Sequence, residues 1–298
     1  MDLFQYKYMM LYYKVMRRIR AMMDLGPLQI RAYLDRLAFL NPVPKGTVAA
    51  RISFGEVECD EVRTKKSNNR VLLFCIHGGA FAFGSARTHR TMAANLCELT
   101  GGIALLVDYR RTPEHRYPAA LDDCEAAWRG CLERYSDLPK VFIGDSAGGN
   151  LAAALQVRCL TKDLASPSAI CLLSPWLDLR KDSTAALVNF SRDSVFDKED
   201  LAKYATLYAD DAQRDLEEVS PLLSQTLGRF APTLLQVAKN ELLFSDSKEF
   251  HEALVHAGAE AVLDKKSKLF HSWQLFPDYF SEARKSLEGV SAFILERV

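Results

Sequence analysis

Lys140-Val-Phe-Ile-Gly-Asp-Ser146-Ala-Gly-Gly-Asn-Leu-Ala-Ala-Ala-Leu155 is the stretch on which the reading of this chain turns. Its apolar start predicts a strand, Gly144-Asp-Ser146-Ala-Gly148 a hard turn, and the alanine- and leucine-rich remainder a helix. A G-x-S-x-G pattern between a strand and a helix is the setting of a nucleophile elbow. The glycines have a mechanical part: a serine on so sharp a turn sits in a strained backbone, and bulky neighbours would strike the strand or the helix. Such a turn leaves Oγ at the carboxyl end of a sheet, with the first helical N–H groups aimed at the reacting oxygen. The pattern alone also fits an ordinary strand-to-helix joint, so its meaning depends on what surrounds it.

Working outward, residues 71–76 and 103–107 are continuous apolar runs, as expected of strands covered on both faces. Helical spacing lies between them from about 88 to 99, and again over 119–135 before the elbow strand. Beyond the elbow helix, 169–173 and 233–237 read as strands, a helix is expected over 247–257, a strand near 261–265, and a last helix from about 277. Alternation of this kind implies a mainly parallel sheet with right-handed crossovers. Residues 48–63 shorten to period two and suggest one or two antiparallel strands. Between about 179 and 227 the rhythm breaks into a polar, helical segment, read as an insertion that helps build a lid.

The 298 residues are 49% apolar and 26% charged, with 38 bases against 38 acids, the profile of a globular chain with a large core. Zero formal net charge gives no support for nucleic-acid binding. The seven cysteines form no Cys-x-x-Cys pair, which points to reduced, mostly buried thiols and a cytoplasmic protein, not to a disulfide frame or a metal site. No uncharged apolar run reaches the roughly 18 residues that a membrane span needs. Residues 1–25 are rich in Met and Tyr and carry Lys14, Arg17, Arg18 and Arg20 after the apolar positions, the reverse of a signal peptide. This stretch is read as a helix over the entrance to the site, the rival being a helix lying on a membrane surface. A second helix is expected over 27–40, stopped by Asn41-Pro42.

A serine hydroxyl needs a positioned base. Of six histidines, His251 and His256 fall on a helix, and His89 and His115 lie among arginines and turn residues. His271, in a loop after the last strand, stands where a base for Ser146 is needed. The base needs an acid to fix its tautomer, and the chain order Ser, Asp/Glu, His places it after the strand ending near Ala238. Glu241 in the turn and Asp246 further on are the two candidates; Glu241 is preferred because Asp246 reads as a helix N-cap. An oxyanion needs preorganised N–H donors. Ala147 follows the nucleophile, and His77-Gly78-Gly79-Ala80 follows an early strand, so Gly78, Gly79 and Ala147 are the expected donors. G-x-G-x-x-G and G-K-[ST] are absent, which argues against a nucleotide site in the same glycines.

Taken together, these pieces resemble the hormone-sensitive-lipase family of α/β-hydrolases, in its bacterial esterase branch. The resemblance rests on His77-Gly-Gly-Ala-Phe81, Asp108-Tyr-Arg-Arg-Thr-Pro-Glu-His115, Tyr117-Pro-Ala-Ala120, Gly144-Asp-Ser-Ala-Gly148, Ser174-Pro-Trp-Leu-Asp178, Glu241-Leu-Leu and His271-Ser-Trp, spread over residues 70–275. It implies an α/β-hydrolase fold, with Ser146 as nucleophile, His271 as base and Glu241 at the acid position. Many members carry Asp-Pro at that position, and Ala80 stands where many have a third glycine, though its N–H remains available. It also implies a helical cap from residues 1–40 and the 179–227 insertion over a catalytic domain of 41–298. The 108–113 segment is read as structural.

The expected reaction is hydrolysis of short-chain acyl esters through an acyl-enzyme, with Ala80, Phe81, Phe83 and Trp176 lining a modest apolar pocket. No cofactor or metal is expected. The partner is a small-molecule ester, and whether the chain is a monomer or a homodimer stays open. Two rivals stand beside this reading. The same triad could cleave an amide or a lactone, or the fold could serve as a non-catalytic small-molecule receptor; retention of His271 argues for turnover.

Overall fold

The computed structural model describes residues 25–180 and 197–298. The helix expected over residues 1–25 lies outside that range save for its last residue, as does part of the 179–227 insertion.

Eight strands form one sheet in the order β1-β2-β4-β3-β5-β6-β7-β8. They are β1 (Val48–Phe54), β2 (Val57–Arg63), β3 (Leu72–Ile76), β4 (Ile103–Val107), β5 (Lys140–Asp145), β6 (Ala169–Leu173), β7 (Thr233–Ala238) and β8 (Ala261–Lys266). The first two form an antiparallel hairpin, and β2 also runs antiparallel to β4; every other pairing is parallel. The period-two and continuous apolar stretches of the sequence fall on these strands as expected.

The helices follow from the crossovers: α1 (Pro27–Leu37), α2 (Ala86–Thr100), α3 (Ala119–Arg134), α4 (Ser146–Thr161), α5 (Lys198–Tyr208), α6 (Phe244–His256) and α7 (Ser281–Leu295). Ser85 caps α2, its Oγ accepting the Thr88 N–H, and Gly101 ends it in the left-handed region at φ 71°. Side chains alternate across the sheet, as period two requires. Leu72, Phe74 and Ile76 enter a core shared with α3, α4 and α6, whereas Leu73 and Cys75 enter a second core closed by α2 and α7. Trp128 of α3 meets Phe74 and Phe142 edge-on at 5.4 and 4.6 Å between centroids, and its Nε1–H donates to Ala165 O.

All seven cysteines are buried free thiols. Burial pushes Cys59, Cys97 and Cys159 up to about 12 and Cys75 well above its ordinary value. Within the insertion, residues 197–227 hold α5 and short 3₁₀ turns and no strand, in keeping with the broken rhythm of the sequence. Among the described residues, no helix is long and apolar enough to cross a membrane.

The carboxyl ends of β3, β5, β6, β7 and β8 all face one way, since these strands are mutually parallel. The loops that leave them carry residues 77–85, 146, 174–178, 239–243 and 267–276. In open sheets of this kind, that rim is where ligands bind.

Candidate active site

Ser146 begins α4 directly after β5 with φ 52°, a left-handed backbone that non-glycine residues rarely adopt. The turn is tight enough that a Cβ on Gly144 would sit 2.2 Å from Gly148 O. Six of the eight non-glycine residues with positive φ among the described residues belong to the rim loops: Ala80, Phe81, Ser146, Ser174, Lys268 and Ser272. Backbone strain gathered in this way is characteristic of functional sites. Ser146 is buried, and its carbonyl accepts the Trp176 N–H at 3.1 Å, which ties the elbow to the loop after β6.

Glu241 and His271 are brought together. His271 Nδ1 lies 2.6 Å from Glu241 Oε2, with both side chains buried. The other carboxylate oxygen of Glu241 accepts the Ala238 N–H at 2.7 Å and the Ser174 hydroxyl at 2.8 Å. These two donors orient the carboxylate towards the ring. Asp246, the alternative acid, is engaged elsewhere: its Oδ2 accepts the N–H groups of Leu177 and Asp178 at 2.9 and 3.0 Å. It is not a helix N-cap as expected either. Helix α6 starts at Phe244 with Leu243 as cap, which puts Asp246 inside the first turn, where the helix dipole favours an acid.

The loop that carries His271 is tied to the turn that carries Ser146. Ser272 donates from Oγ to Asp145 Oδ2 at 3.0 Å, and its N–H reaches Ser174 Oγ at 3.4 Å. His271 and Ser146 are therefore the immediate chain neighbours of the two ends of one hydrogen bond.

The loop after β3 departs from expectation at one residue. The Gly78 N–H donates to Asp145 Oδ1 at 2.8 Å, so a carboxylate already claims the donor that the sequence assigned to an oxyanion. Gly79 and Ala80 follow at φ 115° and 52°, and the Gly79 carbonyl accepts from Ala82 and Phe83. Ala147 lies in the first turn of α4, where backbone N–H groups have no intrahelical acceptor. His77 is locked beneath this loop: its ring stacks on Tyr109 at 4.1 Å, its Nδ1–H donates to Gly78 O, and its carbonyl accepts the Tyr109 hydroxyl. Burial holds its imidazole well below the ordinary 6.5, so it is neutral.

Of the expected pocket residues, Trp176 lines a small cavity between α5 and the loop after β6, with Leu179, Leu201, Ala205 and Leu242 among its walls. Phe81 and Phe83 are packed against the insertion instead. Phe81 stacks on Tyr208 at 3.7 Å and 9°, and Phe83 meets Tyr204 edge-on at 5.0 Å. Helix α1 is fastened to the same loop by Arg31, whose guanidinium donates to Ala82 O, Thr112 O and the Glu114 carboxylate. The 108–113 segment backs the loop as well, the Thr112 N–H donating to Phe81 O at 2.9 Å.

Sequence reasoning passed over several residues that the structure brings to this rim. Asp145 lies within the elbow motif without a role in the sequence, and His89 stands there only among arginines and turn residues. Ser174 and Ser272 belong to quoted motifs but carry no role there, since nothing in composition marks a serine that orients a neighbour. Tyr204 and Tyr208 are four apart on one helix, a spacing that identifies a buried face but not what it covers.

A family profile described as alpha/beta hydrolase fold matches residues 73–275. An esterase of Acinetobacter venetianus is 33% identical over 278 residues, covering 93% of this chain and 91% of its own length. An acetyl-hydrolase of Streptomyces hygroscopicus is 31% identical over 253 residues, covering 85% and 83%. Among solved structures, an esterase from the bacterial hormone-sensitive lipase family superposes with a TM-score of 0.90 at 27% identity, covering 97% of both chains.

Proposed function

We propose, from the premise that this chain belongs to the alpha/beta hydrolase family in its hormone-sensitive-lipase branch, that it is a carboxylesterase whose Ser146, His271 and Glu241 work as a triad. The observation that carries this reading is the buried 2.6 Å contact between His271 and Glu241, in a loop tied to the elbow serine.

In the proposed cycle, His271 takes the Ser146 proton as Oγ attacks the ester carbonyl, forming a tetrahedral oxyanion. The same proton then passes to the leaving alcohol as the carbon–oxygen bond breaks, leaving an acyl-enzyme. Water attacks by the reverse sequence, giving its proton to His271 and releasing the acid. Glu241 holds the Nδ1–H tautomer, so that Nε2 is the proton-accepting atom, and stabilises the imidazolium. Because Gly78 is engaged by Asp145, the oxyanion donors in this proposal are Gly79, Ala80 and Ala147. Each such donor is worth roughly 3 kcal/mol of barrier.

Residues 1–40 and 179–227 act as the cap in this reading, and short acyl chains are the substrates. The aromatic packing of Phe81, Trp176 and Tyr208 supports that preference, because it fills space that a long chain would need.

The experiment is Ser146→Ala assayed on p-nitrophenyl acetate, butyrate and decanoate, with fluorophosphonate labelling in parallel. Loss of turnover and labelling, with the shorter esters preferred by the wild type, is expected. A variant that turns over at the wild-type rate would falsify the nucleophile assignment.

A further inference from the structure

Asp145 takes no part in the proton transfers proposed above, yet its carboxylate touches three separate segments of the site. Oδ1 accepts the Gly78 N–H at 2.8 Å and lies 2.9 Å from His89 Nε2, while Oδ2 accepts the Ser272 hydroxyl at 3.0 Å. The fourth segment is its own, since Asp145 is the last residue of β5 and immediately precedes Ser146. His89 is held in turn: its Nδ1 lies 3.2 Å from Ser85 O and 2.9 Å from Thr88 Oγ1, at the capped start of α2. Both side chains are buried.

A carboxylate offers about four lone-pair directions, so three donors from three segments use most of what it has. With water excluded, these charge-assisted bonds are stiff, and withdrawing any one donor would leave a buried charge undercompensated. Burial by itself would raise the Asp145 carboxyl. The His89 ring, the Gly78 N–H and the Ser272 hydroxyl together outweigh burial and hold the carboxyl below its usual range, so it stays charged. The approach is as close as the chain permits, for a Cβ on Gly78 would lie 2.4 Å from Asp145 Oδ2.

We infer that Asp145, braced by His89, is a positioning residue: one carboxylate draws the oxyanion loop and the base-bearing loop onto the elbow and so sets the donors and His271 against Ser146. This rests on the triad reading of the site. Acyl transfer is sensitive to such placement, because a displacement of about 1 Å can lower a rate by roughly 10²-fold. A merely structural carboxylate would affect stability and leave turnover alone at temperatures well below melting.

The test compares wild type, Asp145→Asn, His89→Gln and Ser272→Ala on p-nitrophenyl butyrate, with melting temperature and the rate of fluorophosphonate labelling measured on each. Asp145→Asn is expected to lower kcat by about 30- to 100-fold, with KM changed by less than about threefold and labelling slowed in proportion. His89→Gln, which keeps a donor but not the braced ring, is expected to fall between Asp145→Asn and wild type. If Asp145→Asn does not fold, Ser272→Ala decides alone, since it removes one accepted bond and leaves the Gly78 and His89 contacts in place. Its kcat is expected to drop about fivefold, with melting within about 3 °C of wild type. Unchanged kcat in Ser272→Ala, or in a folded Asp145→Asn, overturns the inference. Failure of the wild type itself to turn over esters or to be labelled at Ser146 overturns the triad reading instead, so the two failures are distinguishable.

Discussion

Asp145 and Ser272 are joined by a 3.0 Å hydrogen bond although 127 positions separate them in the chain. One precedes the elbow serine and the other follows the candidate base, so this single contact registers two loops that leave different strands of the sheet.

The acid assignment separates two carboxylates. Glu241→Gln puts an amide where Nδ1–H needs a charged acceptor, and kcat on p-nitrophenyl butyrate should fall by about 10³-fold or more. Glu241→Asp draws the carboxylate back by one methylene from its contacts with His271, Ser174 and Ala238, and a loss of about tenfold is expected. Asp246→Asn keeps an oxygen for the Leu177 and Asp178 N–H groups and should stay within about threefold of wild type. Should Asp246→Asn fall as far as Glu241→Gln, the acid has been misassigned.

His77 makes stability depend on pH. Above its ordinary 6.5 the ring is neutral in both the folded and unfolded chain, and it contributes no slope. Below 6.5 the unfolded chain takes up a proton that the buried folded ring refuses, so stability falls as pH drops, by about 1.4 kcal/mol per pH unit, until the lowered folded value is reached. Urea unfolding of wild type and His77→Gln between pH 5 and 8 should show the steeper acid loss in wild type only. Parallel slopes would remove this explanation. Asp145, held below its usual range, acts in the same sense at lower pH: its contribution is present above the ordinary 3.8 and lost as pH falls through the lowered value.

The Tyr208 hydroxyl is buried with no hydrogen-bond partner among the described residues, while the ring beneath it stacks on Phe81. Tyr208→Phe retains the ring and deletes the unsatisfied oxygen. It should be neutral or stabilising by up to about 1 kcal/mol in a melting experiment. Tyr208→Ala, which also deletes the ring, should lose about 3–5 kcal/mol. A marked loss in Tyr208→Phe would mean that the hydroxyl has a use.

Arg31→Met keeps the aliphatic stem but strands the carbonyls of Ala82 and Thr112. A loss of about 2 kcal/mol in urea unfolding is expected, from hydrogen bonds made by a charged donor. Because Ala82 belongs to the loop that carries the proposed oxyanion donors, KM should rise as well; stability lost with KM unchanged would separate the helix from the site.

What could be read in advance divides along physical lines. The strands of the sheet were legible because burial on two faces leaves continuous apolar runs at 71–76, 103–107 and 169–173. The candidate serine, glutamate and histidine were legible because their chemistry demands rare residue types at rim positions in a set order. The engagement of Gly78 is not legible, because glycine after a strand shows that backbone can approach something, not what it approaches. Here the neighbour is the Asp145 carboxylate. The packing of Phe81 and Phe83 was equally hidden, because an aromatic beside a site and an aromatic under a helix have the same local sequence. Ser174 and Ser272 act through contacts with residues 67 and 127 positions away, and local pattern carries no record of such distances.

The sealed thiols have a practical corollary. With every thiol shielded and its ionisation suppressed, maleimides and disulfide reagents should find nothing to modify until the whole domain opens. Seven sulfurs spread over strands and helices then become an internal clock: the pace of their alkylation reports how often the molecule comes apart, free of any signal from the rim where the chemistry is proposed.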